Sequence, residues 1–191
     1  MTYFGSGFAN IRRREEKGIF HFYASEESRP EFERMMRDSV PGWEKLCDLT
    51  TLKLYERFEL NGRGFTPIPA VHGCVGAVNY IIDEGGKHLL YAHDTGLWQE
   101  ETWEFLRGVK LDLASLDCTN GPIKSEYSGH MGFERNIYMR DRLIAQGSAD
   151  ENTRFVLNHF SHNGHLLYDE LVELAAPHDI EISYDGMKLT L

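Results

Sequence analysis

The stretch Leu89-Leu90-Tyr91-Ala92-His93-Asp94-Thr95-Gly96 constrains this chain more than any other. An apolar run ends in a carboxylate and then at once in turn residues, the pattern of a strand that stops at a sheet edge. Two histidine stretches share the form of an apolar run ending in His at the start of a loop. They are Ala70-Val71-His72-Gly73 upstream and Asn158-His159-Phe160-Ser161-His162-Asn163-Gly164 downstream. Three strand ends that each deliver one imidazole or carboxylate to the same edge are what a metal site on a layered α/β fold requires. Such donors suit Zn, Fe or Mn.

The flanking sequence supplies the sheet. Residues 19–24 (IFHFYA) are rich in aromatics and read as a strand. Ser25, with Glu26 and Glu27 in a first turn, starts a helix that runs through residues 31–38 to a stop at Pro41-Gly42. Residues 49–60 alternate as one strand, and Asn61-Gly62 turns the chain into residues 65–71, whose prolines suit an edge or a strand end. Residues 76–83 and 87–93 form a hairpin about Glu84-Gly85-Gly86. After Asp94, strands at 111–117 and 155–157 alternate with helices at 102–106, 133–146 and 165–176. The second of these helices carries Ile137, Leu143 and Ile144 on one side. Residues 180–184 and 187–191 close the chain as a small hairpin about Asp185-Gly186. Hairpins followed by strand–helix alternation predict a mixed α/β (α+β) architecture in one domain over residues 1–191.

Charge and cysteines narrow the function. Twenty Lys and Arg against thirty Asp and Glu leave a net charge of −10, which argues against an extended nucleic-acid surface. Cys47, Cys74 and Cys118 form no CxxC pair and no disulfide framework, so a reducing cytoplasm is the expected compartment. Residues 1–14 lack the apolar core of a signal peptide, and no apolar run approaches the ~18 residues of a membrane span.

From about residue 19 onward the sequence resembles the metallo-β-lactamase fold hydrolases. Within them it resembles the phosphoribosyl cyclic phosphodiesterase branch and, more distantly, the tRNA 3′-processing endonucleases. The likeness rests on Ala70-Val71-His72-Gly73, Tyr91-Ala92-His93-Asp94-Thr95-Gly96, Asp117-Cys118-Thr119, Gly129-His130-Met131-Gly132, Asn158-His159-Phe160-Ser161-His162 and Tyr184-Asp185-Gly186-Met187, in that order. It implies a four-layer αββα sandwich with a dinuclear site for divalent ions, Zn or Mn/Fe. It further implies His72 as a ligand of the first metal, Asp94 as the carboxylate shared by both, His159 as a ligand of the second, and His130 as the acid that protonates the leaving oxygen. The His-x-His-x-Asp-His motif of the family occurs nowhere in the sequence. The chain is therefore expected to be an N-terminally shortened member, with residues 3–8 resembling the loop that follows that motif. An exposed sheet edge and self-association into a homo-oligomer are expected with it.

The implied activity is that of a metal-dependent hydrolase of a small phosphorylated substrate, probing a phosphodiester bond with a metal-activated water. A non-catalytic or partner-completed remnant, and a hydrolase of an ester or lactam, are the alternatives. His162 competes with His159 for the ligand role. His93, His162 and His165 are candidates for orienting ligands, and Asp117 for orienting a neighbour or capping its strand. His21, His88 and His178 read as structural or solvated.

Overall fold

A computed structural model describes residues 18–39 and 42–191. The glycine- and aromatic-rich start of the chain and Pro41 lie outside the described residues. Contacts divide the chain into two compact units, Met1–Leu54 with Cys74–Gly76, and Tyr55–Gly73 with Ala77–Leu191.

In the first unit β1 (Phe20–Ser25) pairs in parallel with β2 (Cys47–Leu52), with Phe20 opposite Cys47, and α1 (Arg29–Ser39) makes the crossover. Parallel neighbours need such a crossover, and a helix is the usual one. Ser25 ends β1 because its hydroxyl accepts the Ser28 amide at 3.2 Å and donates to the Gly76 carbonyl at 2.6 Å. The apolar side of α1 closes over the pair: Met36 and Cys47 are buried among Phe20, Phe22, Phe32, Trp43 and Leu46.

The second unit is built on a seven-stranded sheet in the order β3 (Phe58–Leu60), β4 (Arg63–Pro69), β5 (Val78–Glu84), β6 (Lys87–Ala92), β7 (Leu113–Asp117), β8 (Arg154–Asn158), β9 (Glu181–Ile182). Pairing is antiparallel from β3 to β6 and parallel from β6 to β9. The change follows from the connections. Two-residue turns join β3 to β4 at Asn61-Gly62 and β5 to β6 at Gly85-Gly86, all four residues at positive φ, which favours Asn and Gly. Later links run through α2 (Glu100–Leu106), α3 (Phe133–Ala145) and α4 (Tyr168–Ala175). The core lies on the sheet face that carries Ile68, Ile81, Leu90, Ala114, Leu116, Phe155 and Leu157, packed with Trp103, Leu106, Met139, Leu143 and Leu171.

Four sequence expectations need correction. Residues 49–60 are not one strand, for β2 ends at Leu52 and β3 begins at Phe58; the two halves belong to different units. Of the two places expected for the prolines of β4, the sheet edge is excluded, since β4 lies between β3 and β5, whereas Pro69 does end the strand. They are tolerated because β3 pairs only as far as Phe65. The Pro67 carbonyl instead accepts the Tyr55 amide at 2.8 Å, so its missing N–H lies on that same side, past the end of β3. Ile144 is exposed, and α3 buries Phe133, Asn136, Met139 and Leu143 instead. The closing hairpin does not form: β9 pairs in parallel with β8, and residues 183–191 carry no strand.

Two outcomes follow from this packing. Leu90 is fully buried in the central strand β6, so Leu90→Ala should destabilise the large-sheet unit by about 2–5 kcal/mol in urea denaturation. Leu167→Ala, at a side chain 78% exposed, should change it by less than about 0.5 kcal/mol. Among the cysteines, Cys74 is exposed, Cys47 is buried, and burial pushes the Cys118 thiol up to about 12. Iodoacetamide at neutral pH should therefore label Cys74 alone in the folded protein and all three in urea, as read by peptide mass spectrometry.

Candidate metal centre

The parallel pairing of β6, β7 and β8 sets their carboxyl ends side by side, and two antiparallel steps turn β4 to the same direction. One edge of the sheet thus collects the loops after all four strands, the usual position of a site on such a sheet. The loop after β4 carries His72, that after β6 carries Asp94, that after β7 begins with Cys118-Thr119, and that after β8 begins with His159. Asp94 and His159 both adopt left-handed backbone, at φ 51° and 60°. The chain thus turns sharply at each strand end, in a conformation that Asp and His tolerate better than most residues.

The four expected residues come together. Asp94 Oδ1 lies 3.5 Å from His72 Nε2, 3.3 Å from His159 Nε2 and 3.9 Å from His130 Nδ1. Asp94, Asp117, His130 and His159 each offer a ligand atom within 4.8 Å of the others. The spacings test whether a metal fits. A charge-assisted N–H···O bond would be about 2.7–2.9 Å long. Two donors bound at about 2.0–2.1 Å to one tetrahedral ion stand about 3.4 Å apart. The Asp94–His72 and Asp94–His159 distances match the second value and exceed the first.

Beneath the imidazoles lies Asp117, the last residue of β7, with no exposed surface. Its Oδ1 accepts the amides of Thr119 at 3.1 Å and Met131 at 2.9 Å, and its Oδ2 faces His130 Nδ1 at 2.9 Å. The Thr119 hydroxyl stands 2.8 Å from His159 Nδ1 and 3.2 Å from His130 Nδ1. His159 is thereby held with Nδ1–H on an oxygen and the Nε2 lone pair turned to Asp94, the tautomer a metal requires. His72 differs, because its Nδ1 is buried without a hydrogen-bond partner among the described residues. The residues fit a divalent ion, then, with the His159 side fully supported from behind and the His72 side less so.

Of the other histidines, His93 borders the centre, its ring 6.2 Å from that of His159. His93 gives its Nε2 to the Ser115 hydroxyl at 2.7 Å, and its ring lies against Tyr91. Burial lowers its pKa to about 4, against the pull of Asp117 and Asp94, so it stays neutral. His162 and His165 are exposed in the loop after β8, and His21 lies beside Asp48 in the other unit. Asp117 takes both roles open to it, capping the end of β7 through the Thr119 amide and orienting His130. Thr119 was assigned no part of its own from the sequence; its place two residues after a strand-ending aspartate, in the stretch Asp117-Cys118-Thr119, was the available signal.

The chain matches the family model described as the beta-lactamase superfamily domain over residues 6–177. Solved structures agree in fold. A new diphosphatase from the PhnP family is 22% identical, with a TM-score of 0.67, covering 97% of this chain and 66% of its own. Zn(2+)-bound PqqB from Methylobacterium extorquens is 20% identical, with a TM-score of 0.66 over 97% and 69%. The metallo-β-lactamase fold protein YhfI from Bacillus subtilis is 13% identical, with a TM-score of 0.69 over 94% and 68%. The chain thus spans about two thirds of the length of these proteins. No curated protein matches it. No helix among the described residues is long and apolar enough to cross a membrane. A family match over most of the sequence, borne on a mixed sheet whose strand ends gather a metal-capable cluster, places this chain in the beta-lactamase superfamily domain family, with the metallo-β-lactamase fold.

Proposed function

We propose that the chain is a metal-dependent hydrolase of small phosphodiesters. The carrying observation is one carboxylate oxygen, Asp94 Oδ1, at ligand–ligand distance from two imidazoles, with an imidazole–carboxylate pair beside it. Asp94 would be shared by two divalent ions, Zn or Mn/Fe, one held with His72 and the other with His159. The relative described as Zn(2+)-bound and the one described as a diphosphatase both support this choice of ion and bond. When bound, the ions supply Lewis acidity to the phosphoryl group and its attacking water.

The protein's own groups do the rest. Asp117 and Thr119 fix the His159 ring so that Nε2 faces Asp94. Asp117 also holds His130 through Nδ1, which leaves Nε2 as the nitrogen that can pass a proton to the departing alkoxide. The remaining coordination positions would fall to water, substrate or a further polypeptide segment, since among the described residues these are the donors turned toward Asp94. That is also the place of the partner-completed alternative.

Metal binding is checked first. The chain dialysed against Zn²⁺ or Mn²⁺ should hold metal weakly, as judged by elemental analysis and calorimetry. Asp94→Ala should abolish binding, and His72→Ala or His159→Ala should weaken it at least about tenfold. His165→Ala, at an exposed residue outside the cluster, should leave it unchanged. If His165→Ala removes metal and Asp94→Ala does not, the site lies elsewhere.

The proton donor is checked through the leaving group. In the metal-loaded protein, His130→Ala should slow hydrolysis of an alkyl phosphodiester by about 10²–10⁴, the worth of a positioned general acid. Bis(p-nitrophenyl) phosphate, whose leaving group needs no proton, should be nearly unaffected. Equal losses on both substrates would return His130 to a binding or structural part.

A further inference from the structure

Thr95 and Gly96 follow Asp94 directly, and the proposed function gives neither a part. Thr95 has no exposed surface. Its hydroxyl accepts the Val71 amide at 3.0 Å and donates to the Gly96 carbonyl at 3.0 Å, and the Gly96 amide donates to the Val71 carbonyl at 2.8 Å. Both polar groups of Val71, the residue before His72, are thus fixed by the two residues after Asp94. These bonds join two loops that no strand pairing joins, since β4 and β6 are separated by β5.

Gly96 makes the third connection. A Cβ there would stand 1.7 Å from the Ser128 carbonyl oxygen and 2.9 Å from its carbon. Backbone therefore meets backbone at this point, and Ser128 lies two residues before His130. The far side of the His130 loop is held by Arg135, whose guanidinium donates to the carbonyls of His130 at 3.0 Å and Ser125 at 3.3 Å. The start of the Asp94 loop is held by Asn79, buried in β5, which donates to the His93 carbonyl at 2.8 Å and accepts the Trp98 indole N–H at 3.0 Å.

We propose that the Thr95-Gly96 pair is a positioning device that locks the loops of His72, Asp94 and His130 into one geometry before any metal arrives. Thr95 does so through its hydroxyl, and Gly96 through the absence of a side chain. The imidazole of His72 needs this lock more than that of His159, because among the described residues its Nδ1 has no partner to hold the ring. Hydroxyl loss at residue 95 would leave a part-buried Val71 N–H unpaired and free the His72 loop to move relative to Asp94. The proposal rests on the metal reading of Asp94 and His72 for its consequence, and on hydrogen bonding alone for its cause.

Both parts are testable on the full chain. In the metal-free wild type, hydrogen exchange should show the Val71 and Gly96 amides protected at least about tenfold over the amides of the exposed residues His162 and Asn163. Thr95→Val should remove the Val71 protection, and Thr95→Ser should retain it. In Co²⁺ titrations Thr95→Val should bind about 10–100-fold more weakly, with an altered visible spectrum, and Thr95→Ser should restore both, as outer hydrogen-bond partners of a metal site do. Gly96→Ala should likewise weaken binding and should also expose the Ser128 and His130 amides to exchange. Fast exchange of Val71 in the metal-free wild type overturns the proposal, even if Thr95→Val fails to fold. So does a folded Thr95→Val protein with wild-type Co²⁺ affinity and spectrum. Should the wild type bind no metal, the proposed function falls, and the exchange pattern of the three variants still decides whether the lock exists.

Discussion

A carboxylate without solvent contact sits at the end of β7, and the site is arranged around its need for donors. Asp117 ends β7 in the middle of the parallel part of the sheet, where a charge left unpaired would cost several kcal/mol. The chain answers with the amides of Thr119 and Met131, the Thr119 hydroxyl and the His130 imidazole. Each donor fixes a piece of the edge. Met131 brings the 129–132 loop inward, and the Asn120 amide then meets the Met131 carbonyl at 3.1 Å. Thr119 carries the constraint on to His159, whose carbonyl its hydroxyl meets at 3.0 Å. Satisfying one buried charge therefore sets the orientation of two imidazoles.

The change from antiparallel to parallel pairing at β6 gives that arrangement its second half. Hairpins alone would alternate strand ends between the two edges, and only alternate loops would reach the site. Crossovers through α2, α3 and α4 return β7, β8 and β9 in one direction, so successive carboxyl ends stay at one edge. The hairpins contribute β4 in the same sense, two strands away from β6. His72 thus comes from the antiparallel part of the sheet, and Asp94, Asp117 and His159 from the parallel part, with Thr95 and Gly96 across the gap.

Much of this was legible in the sequence, because it is written in local chemistry. Asn61-Gly62 and Gly85-Gly86 specify two-residue turns on their own, and each appears where they predict. His72, Asp94 and His159 could be picked out as apolar runs ending in a donor, and the structure brings them together. What escaped depends on contacts distant in the chain. Residues 49–60 keep a strand-like alternation across a break that only tertiary pairing reveals. The closing segment chose β8 as its neighbour over its own turn, which no local pattern records. Ile144 has the spacing of a buried residue on α3, yet Asn136 takes the inner position because its amide meets the Asp117 carbonyl at 2.7 Å. Thr95, Gly96, Thr119 and Asn79 were invisible for the same reason: their partners lie 14 to 40 residues away or on another loop.

Electrostatics ties the proposed chemistry to the donor set. The chain carries a net charge of −10, and the centre itself presents two carboxylates among imidazoles. The nearby guanidinium of Arg135 is engaged by the carbonyls of Ser125, Tyr127 and His130. An anionic diester approaching this edge meets repulsion from Asp94. Under the proposed function, divalent ions held by Asp94 and its imidazoles would reverse the sign of the field where a phosphoryl group would lie. The same ions would relieve the crowding of lone pairs around Asp94 Oδ1, where two imidazole nitrogens face it too far away for strong hydrogen bonds. Substrate attraction and site assembly thus depend on one charge. A centre made of these residues gains its affinity for an anion only when the metal is in place.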